Sequence, residues 1–339
     1  MTRLRRKFLY GAVVSMAAGI VADQASAHEP GDFSQYFRGV TIGDALGAAP
    51  PPGLYFENTT LYAPKATGYG QLNGFKVNAP ADIPVLLWST GWNFLGASVM
   101  MAVSQPYYNV NAWTGGGPPY AATHYPTVHN TWINPLTLSW NLGKGWFASA
   151  GFAVYAPTGS RYNNSPNPDY WTYEPNAAIS YLGDGWNLTA HVAYNFNTAS
   201  EGHTGAFAGT PVAAFGVGYR SGDQAYVDLT ATKKFGKWEI GPVGYIKLQT
   251  TRDRPGGGVS CATMAALTAS QLTCGRATDF AIGGLIGYDF GPVALKLFVT
   301  DSVHTRDDFG GVLVWSKLSF RLWGPDAEPA PAKPLIRKN

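Results

Sequence analysis

The sequence predicts an all-β chain: a single transmembrane, antiparallel, up-and-down β-barrel of about twelve strands. Three observations carry this. First, apolar residues alternate strictly in run after run. In one run Trp186, Leu188, Ala190, Val192, Tyr194 and Phe196 are separated by Asn187, Thr189, His191, Ala193 and Asn195. A period of two marks a strand with one face in an apolar medium and the other in a polar one. Second, tight glycine turns and long polar loops take turns along the chain. That is the pattern of an outer-membrane barrel, whose short turns face the periplasm and whose long loops face outside. Third, only 13% of the 339 residues are charged while 14% are aromatic. Ordinary soluble domains carry ~25% charge. Yet mean hydropathy is only -0.08, and no mature segment offers the ~20 apolar residues of a membrane-spanning helix.

The N-terminus reads as a targeting segment. "MTRLRRKF" is basic, "LYGAVVSMAAGIV" is apolar and small, and Ala25-Ser26-Ala27 is a cleavage site of the A-x-A kind. Residues 1–27 are therefore a signal peptide, and the mature chain starts near His28. Arg5-Arg6-Lys7-Phe8-Leu9 also fits a twin-arginine signal. That route carries folded cargo, whereas an outer-membrane barrel crosses unfolded, so the ordinary basic region is the reading retained. The chain leaves the bacterial cytoplasm for the outer membrane. Its expected surroundings are outer-membrane lipids and lipopolysaccharide, with the barrel-assembly machinery as a partner during biogenesis.

Residues 28–52 are too long for a mere leader into the first strand. They read as a plug folded into the barrel, with Gly and Ala for close packing and Phe33, Tyr36 and Phe37 as anchors, or as a periplasmic arm. The barrel itself spans residues 53–323. Its strands are expected at 53–62, 82–90, 92–103, 131–141, 146–156, 171–182, 186–197, 224–235, 238–250, 278–290, 292–303 and 309–322. An even number returns both ends to the periplasm. "WNLGKGWFAS", "YLGDGWNLT" and "KKFGKWEIG" each hold a glycine turn between alternating runs. "YDFGPVALK" and "STGWNFLG" are variants. The run 92–103 alternates poorly and does not reveal its outer face. Residues 211–219 alternate weakly, within a loop or a strand. Residues 324–339 form a Pro-rich periplasmic tail.

The face assignment places lipid outside. On 224–235, Val227, Leu229, Ala231 and Phe235 oppose Tyr226, Asp228, Thr230 and Thr232. On 309–322, Val312, Val314, Leu318, Phe320 and Leu322 oppose Trp315, Lys317, Ser319 and Arg321. A charge at the bilayer midplane costs ~2–4 kcal/mol, and the charges keep to the polar face. Lys233 is the exception, but it stands beside a turn where its ammonium snorkels to the interface. Trp146, Trp186 and Trp238 follow short turns on the apolar face, where an aromatic girdle belongs.

"GDALGAAPPPGLYFENTTLY" (Gly43 to Tyr62), "YWTYEPNAAISYLGDGWNLTAHVAYNFNT" and "YRSGDQAYVDLTATKKFGKWEIGPVGY" resemble the outer-membrane transporter family of the meta-cleavage phenol degradation pathway. The resemblance covers most of the mature chain and is densest in the first strand and from Trp171 to Tyr245. It implies inward passage of aromatic or other hydrophobic compounds. It brings no catalytic motif, and the loop before Tyr219 is longer than the family pattern.

Function is therefore expected in the lumen. Twelve strands ~4.8 Å apart, tilted ~40°, give a backbone diameter of roughly 24 Å. The inward candidates for a substrate path are Glu57, Glu174, Asn176, His191, Tyr226, Asp228, Lys247, Lys296, Trp315, Lys317 and Arg321, with Asn187 and Glu239. Opposed carboxylates and cations would form a polar constriction; alternatively they pair and fill the barrel. Inward Tyr226, Phe298 and Trp315 offer stacking surfaces for aromatic solutes. The function so read is passive admission of small hydrophobic or aromatic solutes. A general, weakly selective porin is the first alternative, and a surface barrel enzyme or an adhesive barrel the others.

Other chemistries fare worse. Asp301, Ser302, His304, Asp307 and Asp308 cluster in sequence at an external rim, but a strand points neighbours to opposite faces. There is no G-x-S-x-G elbow, so no catalytic residue is assigned. His124 and His129 lack further ligand spacing, "TGGGPP" lacks the Lys-Ser/Thr of a phosphate loop, and no cofactor or metal is expected. The net charge of +3 is small and spread out, which gives no case for nucleic acid. Cys261 and Cys274 lie in one loop, where an oxidising compartment favours a disulfide.

Overall fold

The structure, a computed structural model, describes residues 34–63, 66–69, 75–114, 123–159, 168–200, 219–263 and 274–325. Twelve long strands among them close into one barrel. They are β1 (Gly53–Tyr62), β2 (Ala81–Phe94), β3 (Ala97–Ser104), β4 (Thr131–Gly143), β5 (Trp146–Ala156) and β6 (Thr172–Tyr181). The second half comprises β7 (Trp186–Asn197), β8 (Gln224–Phe235), β9 (Trp238–Gln249), β10 (Thr278–Asp289), β11 (Val293–Arg306) and β12 (Val312–Trp323). Each pairs antiparallel with its chain neighbours, and β1 closes on β12 with Glu57 opposite Ser319 and Thr59 opposite Lys317. The up-and-down reading holds. Closure leaves no unpaired edge, the condition for sheet in lipid.

The turns at one end are short because their residues accept positive φ. Leu95-Gly96, Lys144-Gly145 and Asp184-Gly185 carry paired positive values, the type I′ geometry that matches strand twist. The expected break near Gly91 is corrected. β2 runs through it to Phe94, and Gly91 sits at φ +77° in a bulge where the β2–β3 register slips between Ser89 and Asn93. Two extra residues are absorbed there, so the glycine bends the strand instead of ending it. At the opposite end, β11 runs on to Arg306. The expected start of the last strand at 309 is instead a two-residue segment, Phe309–Gly310, paired with Thr67 and Gly68. The long loop after β3 contains a hairpin of its own, Tyr107–Thr114 with Thr123–Val128. Residues 1–33, 201–218 and 326–339 lie outside the described residues. So do the signal peptide, Phe33, most of the weakly alternating 211–219 run and nearly all of the tail.

The exterior is apolar. Leu188, Val192, Leu229, Ile286, Leu297 and Leu318 stand exposed along the strands, while Asp228, Thr230, Thr232, Phe298, Trp315 and Lys317 face inward and are buried. Trp146, Trp186 and Trp238 are 43%, 38% and 52% exposed beside the short turns, as an interfacial girdle requires. The Lys233 ammonium lies 4.9 Å over the Trp186 ring, a position from which it reaches the interface. Among the described residues no helix is long and apolar enough to cross a membrane; the strands do so. The barrel is of the outer-membrane kind.

Candidate functional site

Residues 34–52 run down the inside of the barrel, from the long-loop end to the short-turn end. At the top, Gln35 Nε2 donates to Tyr170 O at 3.3 Å. At the bottom, Ser89 Oγ donates to Pro50 O at 2.8 Å. Glycines let the segment hug the wall. A Cβ on Gly47 would stand 2.7 Å from Ser180 N and 2.8 Å from Phe147 O. Without one, Gly47 N–H donates to Ser180 Oγ at 2.9 Å and its carbonyl accepts from Ser139 Oγ at 2.8 Å. Gly43 holds φ +88°, a value that favours glycine.

The charged lumen residues of β8–β12 are spent on this segment. Asp228 accepts from the Tyr36 hydroxyl at 2.8 Å, the Thr41 hydroxyl at 2.7 Å and the amides of Gly39 and Thr41 at 3.0 and 3.1 Å. Lys317 pairs with Asp44 and, at 3.3 Å, with Glu57 on β1. Lys296 donates to Gly43 O and pairs with Glu239 at 3.3 Å. Higher up, Arg38 meets Asp279 at 3.2 Å and Asp308 at 3.0 Å, and Lys247 meets Asp308 at 2.8 Å. Each of these charges thus has a close counter-ion or several hydrogen bonds, without which burial is costly. Apolar contacts complete this half: Phe298 stacks on Trp315 at 5.6 Å, and Ile42 packs into the same cluster.

The other half of the lumen is open. Between residues 36–50 and the inward faces of β1–β6 lies a cavity of about 510 Å³. Its walls are mostly apolar: Val40 and Leu46 of the segment, Ile83, Val85 and Leu87 of β2, and Met100 of β3. Its polar members include Glu174, Asn176, His191, Asn134 and Thr59. Glu174 accepts from Trp132 Nε1 at 3.1 Å. His191 Nδ1 lies 3.1 Å from the Thr41 hydroxyl. A second, smaller cavity of about 120 Å³ sits above, lined by Leu61, Tyr108, His129, Phe309, Leu313 and Trp315 among others. Tyr36 and Phe37 border both. The Phe37 ring packs 4.9 Å from the His129 ring. His129 is fully buried and its Nδ1 lies 3.2 Å from Asn130 O, so the proton of the neutral ring sits on Nδ1. Burial pushes this imidazole down to about 4.

The sequence-predicted candidates therefore separate. Asp228, Lys247, Lys296 and Lys317 hold the segment, and Glu57 shares the Lys317 ammonium. Glu174, Asn176 and His191 line the chamber, which Glu57 also touches. Tyr226 and Trp315 are packed away, Tyr226 against the Tyr36 ring at 4.5 Å, so neither offers a face to the chamber. Arg321 is exposed at the short-turn mouth and bonds Pro52 O at 2.6 Å. Cys261 and Cys274 are joined as a disulfide in an external loop. Asp308, from the sequence cluster at the rim, turns to Lys247 and Arg38, away from any pairing with His304. Among the described residues no metal-ligating group of three gathers. The apolar chamber wall was missed by sequence reasoning. Its signal was the run Ile83 to Trp88, apolar on both faces: Leu86 and Trp88 outward, Ile83, Val85 and Leu87 inward.

A family model described as "Putative MetA-pathway of phenol degradation" matches residues 62–318. The chain belongs to this family. A crystal structure of an outer membrane channel from Pseudomonas putida F1 superposes on this family member with a TM-score of 0.63 at 13% identity, covering 80% of this chain and 96% of that one. At such identity the likeness speaks for the fold. More distant are the NanC porin (TM-score 0.41, 12% identity, 79% of this chain and 100% of that one) and the CymD monoaromatic hydrocarbon channel (0.39, 8%, 85% and 94%). No curated protein matches the chain by sequence.

Proposed function

We propose that this barrel admits small hydrophobic, including aromatic, compounds across the outer membrane by passive diffusion, with residues 34–52 as a lumenal plug. The 510 Å³ apolar chamber inside a lipid-facing barrel carries the reading. A water-filled porin has a polar bore, whereas this lumen reserves its free volume for an apolar occupant and commits most of its charges to the plug. The family's link to phenol degradation agrees. Substrate would enter the small upper cavity, pass Tyr36 and Phe37, and reach the chamber. No gradient-coupled step is needed, because a catabolic enzyme in the cell would keep the inward gradient.

Liposomes loaded with the purified chain test it. Entry of a neutral aromatic compound above the rate of empty liposomes, with little swelling in sugars, supports the reading. Fast sugar entry would make the protein a general porin instead. Deleting residues 34–48 should raise single-channel conductance in a planar bilayer, and unchanged conductance would remove the plug.

A further inference from the structure

Among the described residues, two that line the chamber each carry a buried polar atom without a hydrogen-bond partner. Glu174 is 2% exposed; its Oε1 accepts from Trp132 Nε1, and the Tyr155 hydroxyl interacts with the same carboxylate. Its Oε2 makes no hydrogen bond of normal geometry. Thr59 is 1% exposed, and its Oγ1 is likewise unpartnered. Both residues line the same cavity, on facing parts of the wall, β6 and β1. A buried polar atom without a partner is rare and costly, and two in one apolar chamber point to an occupant that supplies what they lack.

The charge of the wall narrows that occupant. Among the described residues Asp44, Glu57 and Glu174 line the chamber, but no lysine or arginine does. The cation that serves Asp44 and Glu57, Lys317, lies behind them. An anion entering here would lose its water and meet carboxylates with no cation in return. A neutral molecule keeps the benefit of the apolar wall. If it also carries an O–H or N–H, it can donate to Glu174 Oε2. A site built around such a bond discriminates against the analogue that lacks the donor, because the buried acceptor is then left bare.

Resting on the uptake reading above, we propose that the chamber is a binding site for a neutral, mainly apolar molecule bearing one hydrogen-bond donor, which Glu174 accepts, and that it rejects the corresponding carboxylate. The chamber thus selects by protonation state as well as by size.

The test uses the purified chain in detergent at pH 8 and three probes on one ring: 4-fluorophenol, 4-fluorotoluene and 4-fluorobenzoate. Fluorine NMR titrations are read against empty micelles. The phenol should show saturable binding about tenfold tighter than the toluene, and the benzoate none. Glu174→Leu should bring the phenol down to the toluene, with the toluene unchanged or tighter. The ranking on the unaltered chain decides the matter even if that variant fails to fold. Equal binding of phenol and toluene, saturable binding of the benzoate, or no saturable binding at all, as for a chamber that holds only water, would overturn the site. Saturable phenol binding without entry into liposomes would remove the uptake reading and leave the site standing.

Discussion

The Tyr36 hydroxyl donates to Asp228 Oδ2 at 2.8 Å, joining the inserted segment to the barrel wall inside the lumen. Three further donors from Gly39 and Thr41 converge on the same carboxylate. Asp228→Ala would strand them, and a charged acceptor of this kind is worth on the order of 3 kcal/mol when lost. The expected outcome is a loosened segment: faster proteolysis within residues 34–48 and noisier, larger single-channel currents. Currents identical to the unaltered barrel would show that the segment is held by its other contacts alone.

Lys317 is fully buried between Asp44 and Glu57. Lys317→Met leaves two carboxylates facing each other without their cation. Breaking a buried ionic group costs about 3–5 kcal/mol. The denaturant midpoint, followed by the gel shift of folded against unfolded barrel, should fall, and Glu57→Gln in the same chain should restore part of the loss. A midpoint unmoved by Lys317→Met would mean the pair is solvated.

Phe37 stands between the upper cavity and the chamber. Phe37→Ala should merge them and raise the entry rate of small aromatic compounds into liposomes several-fold. Stability should fall modestly, because the ring is only half-buried and rests on His129. An entry rate lowered or unchanged by the variant places the path elsewhere.

Asp253 anchors the external loops through the Gly222 amide at 2.7 Å and Gln249 Nε2 at 2.6 Å. Burial raises its carboxyl to about 7, despite those donors. A carboxyl whose folded value exceeds its unfolded one binds its proton more tightly when folded. Its contribution is therefore complete below about pH 4 and is lost as pH rises through about 7. After correction for intrinsic rates, amide exchange at Gly222 should be better protected at pH 5 than at pH 8. Asp253→Asn should flatten that difference; a pH dependence surviving in the variant would assign it to another group.

Much of the fold was legible because it is written locally. Strand periodicity, paired positive-φ turns and tryptophans beside them each depend on residues close in sequence, and the lipid outside reads every strand by the same rule. Gly91 was misread for a physical reason: a glycine at positive φ serves a bulge as well as a turn, and only the pairing of β2 with β3 separates the two. The poor alternation of residues 92–103 belongs to the same region, where lipid lies outside and the apolar chamber inside, so that Met100 faces inward though apolar.

The sequence by itself determined that one face of each ribbon meets lipid, where the turns fall, and which charges point inward, since these follow from the two-residue repeat and the cost of charge in hydrocarbon. The tertiary structure alone decided what the inward residues do. Asp228 and Lys317 find partners some 190 and 270 residues away, in a segment with no strand pattern, while one buried oxygen of Glu174, a residue that lines an apolar void, makes no hydrogen bond of normal geometry. Periodicity fixes direction along a strand, but the division of a lumen into a bolted half and an empty half depends on which distant groups reach each other across it.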